Sequence, residues 1–354
     1  MGTPTPVMRT DDDPDAAVAW HYGDPHGEQR ALLAGTARVD LSHRGVIEVS
    51  GPDRLTWLHD LTSGHLTELR PGDSATTLVL DANGRIEHIV HLVDDGHRCL
   101  LTVEPGETAD LVAYLDRMRF WSKVEVRDVS GDLAVVWSTT SLADGETSAS
   151  SGDGPADPDV VSVWHQPGEF AGTGLTPAGE DRGGGALRYV PQRPDVLPGV
   201  ELLVRREALS RVVGDADPAG TWALEALRVA AAVPRLGFET DKKTIPHEVG
   251  LIGPAVHLAK GCYRGQETVA RVHNLGRPPR RLALAHLDGS EERLPEHGDT
   301  VEVDGRAVGW VASAARHADL GPVATVIPKR SVPTEATLSI DGIAATQEVV
   351  VVAG

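Results

Sequence analysis

Cysteine is almost absent from this chain of 354 residues, which holds only Cys99 and Cys262. A disulfide scaffold is thereby excluded, as is a four-cysteine zinc or iron–sulfur site within one chain, so any thiol chemistry rests on a single sulfur. Basic side chains fall short of the acids, 33 Lys and Arg against 52 Asp and Glu, for a net charge of −19. Such a surface repels phosphate backbones and anionic headgroups, so neither a nucleic-acid nor a membrane partner is expected. Long apolar runs are missing too. The Val349-Val350-Val351-Val352 run is strand-sized, well short of the roughly eighteen residues that a membrane helix needs. The opening residues, MGTPTPVMRTDDDPD, carry an acidic run with no apolar signal core and are too acidic for a transit peptide, so a cytoplasmic location is expected.

Several catalytic signatures are likewise missing. No P-loop, no Gly-x-Gly-x-x-Gly after a strand, no Gly-x-Ser-x-Gly and no His-Glu-x-x-His occurs, which removes the usual marks of kinases, dinucleotide enzymes, α/β-hydrolases and zincins. His88 and His91 stand three apart on a predicted strand, where odd spacing sends side chains to opposite faces. They read as half-buried polar residues, and no metal site is expected.

What is present fits a mixed α+β chain of two or three domains. Residues 1–30 read as a polar arm that settles around Trp20-His21-Tyr22. A strand over 45–49 feeds a helix opened by Ser50 and Pro52, and strands over 76–80 and 85–93 flank Asp81-Ala82-Asn83-Gly84, where Asn-Gly supplies the positive φ of a tight hairpin. A strand near Cys99 to Val103, a helix over 107–119 and strands over 123–129 and 133–137 follow. Residues 139–185 shift to Gly, Ser, Pro and Asp, with eight acids against one arginine, and read as an acidic insertion apart from a possible strand over 160–164. A strand over 199–204 and a helix over 221–232 complete a body spanning 31–279. From 280 to 354 only short strands spaced by Gly, Pro and Asp remain, which suggests a small antiparallel barrel or sandwich.

The most informative stretch is Lys260-Gly261-Cys262-Tyr263-Arg264-Gly265-Gln266-Glu267. Glycines on each side of the cysteine free the backbone for positive φ, while Lys260 and Arg264, two residues away, are cations that favour thiolate over thiol. A helix over 266–273 would point its positive end back toward Cys262, with Glu267 in its first turn complementing the dipole. Cys99, inside an apolar strand beside Leu100 and Leu101, reads instead as a buried hydrophobe. Arg264, Arg271, Arg277, Arg280 and Arg281 form a basic stretch in an acidic chain, attractive to anions.

The eight-residue stretch resembles the K-G-C-[FY]-x-G-Q-E signature of the YgfZ family, folate-binding proteins related to the glycine-cleavage T-protein and linked to iron–sulfur cluster assembly or repair. Val39-Asp40-Leu41-Ser42-His43, Val49-Ser50-Gly51-Pro52-Asp53, Leu224-Glu225-Ala226-Leu227-Arg228 and Thr244-Ile245-Pro246-His247-Glu248 are similar to segments of the T-protein fold, over residues 30 to 354. The resemblance implies a T-protein-like folate-binding body with a C-terminal antiparallel β-barrel, and tetrahydrofolate or another reduced folate as cofactor. It implies Cys262 and Lys260 as the reactive pair, and Glu225, Arg228, Tyr263 and Arg271 around the folate. Gly261, Arg264, Gly265, Gln266 and Glu267 complete the motif, and iron–sulfur client or assembly proteins are the implied partners. Glu225 can accept two N–H bonds from a pterin edge, or pair with Arg228 three residues on. Where the T-protein has an acidic G-G-I-x-D-D-L stretch, Gly84-Arg85-Ile86-Glu87-His88-Ile89-Val90 puts His88 and Ile89 in the two acid columns. Aminomethyl transfer is therefore not expected, although a one-carbon enzyme and a folate-gated binding module remain alternatives.

Overall fold

The computed structural model describes residues 5–139, 157–171 and 196–351. The chain divides into two compact units, one of Met1–Thr77, His88–Pro167 and Pro198–Leu224, the other of Leu78–Glu87, Gly168–Leu197 and Glu225–Gly354. Most of the acidic insertion expected over 139–185 lies outside the described residues. Within it, Val160–His165 is a strand and Gly168–Ala171 a short helix.

Two five-stranded sheets make up most of the first unit, the ends of two strands at the 78–87 hairpin being counted with the second. One runs in the order Ser74–Leu80, Ile86–Asp94, Arg98–Val103, Gly45–Ser50, Glu125–Asp128. The other runs Val160–His165, Gly199–Arg205, Leu133–Thr139, Ala37–Asp40, Asp217–Ala219, and its last pair is parallel. The strand Gly199–Arg205 is buried along nearly its whole length, because Val200, Leu202 and Val204 pack with Ala134, Val136 and Val212 while Leu203 fills the other face. At the outer strands, Trp164 Nε1 donates to Ala75 O at 3.1 Å and the His165 amide to Ser74 Oγ at 3.0 Å.

The polar arm turns out to be structured. Val7–Met8 pairs with Ala19–His21, and the Trp20 ring sits 5.7 Å from that of Trp222, with the Arg9 guanidinium 4.7 Å from its centroid. The helix Pro25–Leu33 follows, with Pro at its first turn and Asp24 accepting from the Gly27 amide at 2.9 Å.

In the second unit, Ala283–Leu287, Gly321–Pro328, Arg306–His317, Thr300–Val303, Leu338–Ile340 and Ile343–Val349 close into a barrel in that order. Closure resolves the expected barrel-or-sandwich choice, and alternation explains it. Ala283, Ala285 and Leu287 point inward with Val301, Val311, Val326 and Ile340, and small alanines let so narrow a barrel fill with side chains. No described helix is long and apolar enough to cross a membrane.

Candidate functional site

The hairpin tip Asp81-Ala82-Asn83-Gly84 and the Lys260–Gly265 loop meet within the second unit. Asp81 Oδ1 accepts from the Asn83 and Arg85 amides at 2.7 and 2.8 Å, and Gly84 takes φ +74°. Burial works against the charged Asp81, but these bonds outweigh it and hold the carboxyl below its usual range. Gly265 takes φ +85° and caps the helix Gln266–Leu275. A side chain there would meet Asp81 O at 2.6 Å and Gly84 Cα at 2.8 Å, so the contact needs glycine.

Above this contact Cys262 is exposed. Its two flanking cations have other neighbours. Lys260 is buried with Nζ 5.0 Å from the Tyr263 ring centroid, and Arg264 Nη1 donates to Glu87 Oε2 at 2.9 Å. Gln266 Nε2 donates to Lys260 O at 3.2 Å and ties the loop's two ends. Tyr263 is buried, which pushes its phenol up. Glu267 lies in the first helical turn as the dipole favours, and Arg271 Nη2 reaches Thr268 Oγ1 at 3.3 Å on the exposed face. A Cβ added at Gly261 would meet nothing within 4 Å.

A second cluster surrounds Glu225, on the helix Thr221–Ala230. Arg228 donates to it through Nε at 2.9 Å and Nη2 at 2.8 Å, the local pairing that the three-residue spacing allows. The same guanidinium reaches Glu239 Oε2 at 2.9 Å, Val233 O at 2.7 Å and Ser313 Oγ at 2.7 Å. Glu239 is wholly buried and accepts in turn from Ser313 Oγ at 2.7 Å, Thr325 Oγ1 at 2.6 Å and the Arg235 amide at 2.9 Å. Burial would raise its carboxyl, but Arg228 and the two hydroxyls hold it low. Burial likewise opposes the Arg228 charge, and Glu225 and Glu239 more than restore it. The Glu225 side chain keeps 20% of its surface exposed.

A third cluster fixes the Thr244-Ile245-Pro246-His247-Glu248 segment. Arg280 holds Glu248 through Nε and Nη2, both at 2.8 Å, and Asp241 through Nη1 at 2.7 Å, with its guanidinium 4.8 Å from the Trp310 ring. Glu239, Asp241, Ser313 and Thr325 were not singled out from sequence. Their bonds to Arg228, Arg280 and one another across the segment and barrel span 11 to 86 residues and carry no local pattern.

In the first unit His88 and His91 take different partners, Glu107 at 2.7 Å and Glu201 at 2.9 Å. His91 also stacks on Trp164 at 3.8 Å. Glu201, itself buried, accepts from Thr102 Oγ1 at 2.7 Å and pairs with Arg44. Burial alone would raise its carboxyl, but His91 and Arg44 bring it down to about 2. Among the described residues, no group of three His, Cys, Asp or Glu side chains is placed to hold a metal ion.

The fold is that of the glycine-cleavage aminomethyltransferases. Aminomethyltransferase T from Bartonella henselae superposes with a TM-score of 0.72, covering 97% of this chain and 92% of that one at 17% identity. In sequence the chain is 30% identical over 294 residues to a protein of Arabidopsis thaliana named as a candidate chloroplastic transferase, matching 79% of this chain but only 62% of that protein's length. It is 28% identical over 303 residues to the aminomethyltransferase of Geobacillus kaustophilus, covering 82% of this chain and 78% of that one. No family model matches the chain.

Proposed function

We propose that the chain binds a reduced folate, tetrahydrofolate first among them, and acts in iron–sulfur cluster assembly or repair through Cys262, as the YgfZ resemblance implies. The observation that carries this reading is the state of Glu225. Its carboxylate has about four lone-pair sites, of which Arg228 takes two while Arg235 Nη1 stands 3.6 Å from Oε1, and its exposed fifth leaves room for donors from a pterin edge. A charged, immobilised carboxylate suits bidentate recognition. Arg228 then acts as the positioning residue, with Tyr263 and Arg271 as further folate contacts. Cys262 is exposed on a loop pinned by Gly265, Gln266 and the Lys260–Tyr263 contact, as a thiol that meets iron–sulfur client or assembly proteins must be. The body over 31–279 and the barrel over 280–354 are the division this reading assumes.

Calorimetric titration with tetrahydrofolate tests the first half. Glu225→Ala should weaken binding by about 1–3 kcal/mol, the cost of losing a charged hydrogen-bond partner, and equal affinity would remove Glu225 from the pocket. Activity of an iron–sulfur enzyme in a deletion strain complemented with Cys262→Ser tests the second half, with full rescue counting against the thiol and for a folate-gated binding module.

The relatives named aminomethyltransferase favour a second reading, one-carbon transfer to folate. Against it, His88 stands in one of the acid columns of that activity and pairs with Glu107. Release of ammonia from an aminomethyl-carrier substrate, dependent on this chain and on tetrahydrofolate, would establish it.

A further inference from the structure

The neighbouring arginines Arg280 and Arg281 have opposite surroundings. Arg280 is neutralised by two carboxylates, Asp241 and Glu248. Arg281 is only 4% exposed and meets no carboxylate among the described residues. Its Nη1 donates to the carbonyls of Lys329 and Arg330 at 3.4 and 3.1 Å, and its Nη2 donates to Gln347 Oε1 at 2.9 Å. Its Nε is buried with no acceptor. Gln347 is itself fixed by Pro333 O at 2.9 Å and Ala336 O at 3.0 Å, so the guanidinium is held rigidly. A buried charge with no counter-charge is costly, and burial accordingly lowers the Arg281 pKa.

Arg281 lines a surface groove of about 530 Å³ together with Arg277 and Arg330. Both of these are exposed, and neither is ion-paired among the described residues. Glu335 is the one acid in the lining, and its carboxylate accepts from Thr334 Oγ1 at 2.9 Å. Three guanidinium groups against one carboxylate make a locally positive site on a chain of net charge −19. Val349 and Val351 supply an apolar wall.

We propose that this groove is a binding site for a small oligoanion, a molecule with two or more phosphate or carboxylate groups, whose charge neutralises Arg281 and is gripped by Arg277 and Arg330. Guanidinium forks match both oxyanions, and the groove is larger than a bare phosphate requires. Neither Glu225 nor Cys262 lines it, so this site stands or falls apart from the folate reading.

The full chain is titrated calorimetrically with inorganic pyrophosphate and, separately, with γ-glutamylglutamate, alongside the Arg277→Ala/Arg330→Ala double variant. Both substitutions are at exposed positions, so the double variant should fold, which circular dichroism checks. Saturable binding of either probe is expected, weakened about tenfold or more in the double variant and weakened by added salt. Pyrophosphate alone binding identifies a phosphate-bearing ligand, and the dipeptide alone binding identifies a glutamyl chain; each supports the site. Saturable binding of neither probe, or equal binding by the double variant, overturns it.

Discussion

Arg228 and Glu239 stand eleven residues apart and meet as a buried ion pair, Nη1 to Oε2 at 2.9 Å. The same guanidinium holds Glu225, so a fully buried acid and the proposed pterin ligand share this cation. Through Ser313 and Thr325 the pair also fastens this segment to the barrel strands.

Removing that cation should be costly. Arg228→Met leaves Glu239 charged and buried, and is expected to destabilise the protein by about 3–5 kcal/mol. Glu239→Gln keeps an acceptor for Ser313 and should cost less, about 1–3 kcal/mol. Urea unfolding compares the two, and an Arg228→Met loss under about 1 kcal/mol would mean that solvent screens the pair.

Acid should weaken the fold in two stages. Burial, and then repulsion from His273, hold the His247 imidazole down at about 3 against an ordinary 6.5. Glu201 sits at about 2 against 4.5. In both cases the unfolded chain takes up its proton at a higher pH than the folded one, so stability falls as pH drops. The loss should begin below pH 6.5 with His247 and steepen below 4.5 with Glu201. The Glu201 part is on the order of 3 kcal/mol. Urea midpoints followed from neutral pH to about pH 3, with Glu201→Gln showing a shallower decline below 4.5, check this.

Gly265→Ala should cost about 1–3 kcal/mol, since it adds positive-φ strain to a clash with the hairpin backbone. Gly261→Ala, with open space around it, is the control and should be nearly neutral. Equal melting temperatures for the two variants would show that the loop yields without penalty.

Iodoacetamide should modify Cys262 in the folded protein and Cys99 only after unfolding. Cys99 is fully buried, and burial, reinforced by Asp94 at 3.4 Å from its sulfur, pushes its thiol up. Peptide mapping of native and urea-treated samples distinguishes the two sites, and native labelling of Cys99 would contradict its burial.

Much of the fold was legible because the relevant forces are local. Asn83-Gly84 marks its hairpin, the 266–273 helix follows its cap glycine, and Gly, Pro and Asp mark the breaks between the barrel strands. What escaped was non-local. The three-residue strand Asp217–Ala219 is too short for a pattern and exists because Ala37–Val39 lies beside it. The polar composition of the arm hides its two strands, which form because they pair with each other and Trp20 meets Trp222. At the candidate site the cysteine loop was visible as a motif, whereas the partners of its cations were not. Lys260 turns to Tyr263, and Arg264 pairs across 177 residues with Glu87.

The hydrogen bonds that Trp164 and His165 make to Ala75 and Ser74 join the outermost strands of the two sheets in the first unit. An outermost strand is where a second molecule can add its own and start a fibril. Here one long edge shields the other, the opposite outer strands Glu125–Asp128 and Asp217–Ala219 are only four and three residues long, and the closed barrel offers no edge. Colloidal stability at high concentration then leans on the Trp164 indole: Trp164→Ala would leave the His165–Ser74 bond alone to hold the two edges together, and turbidity should rise before any loss of secondary structure.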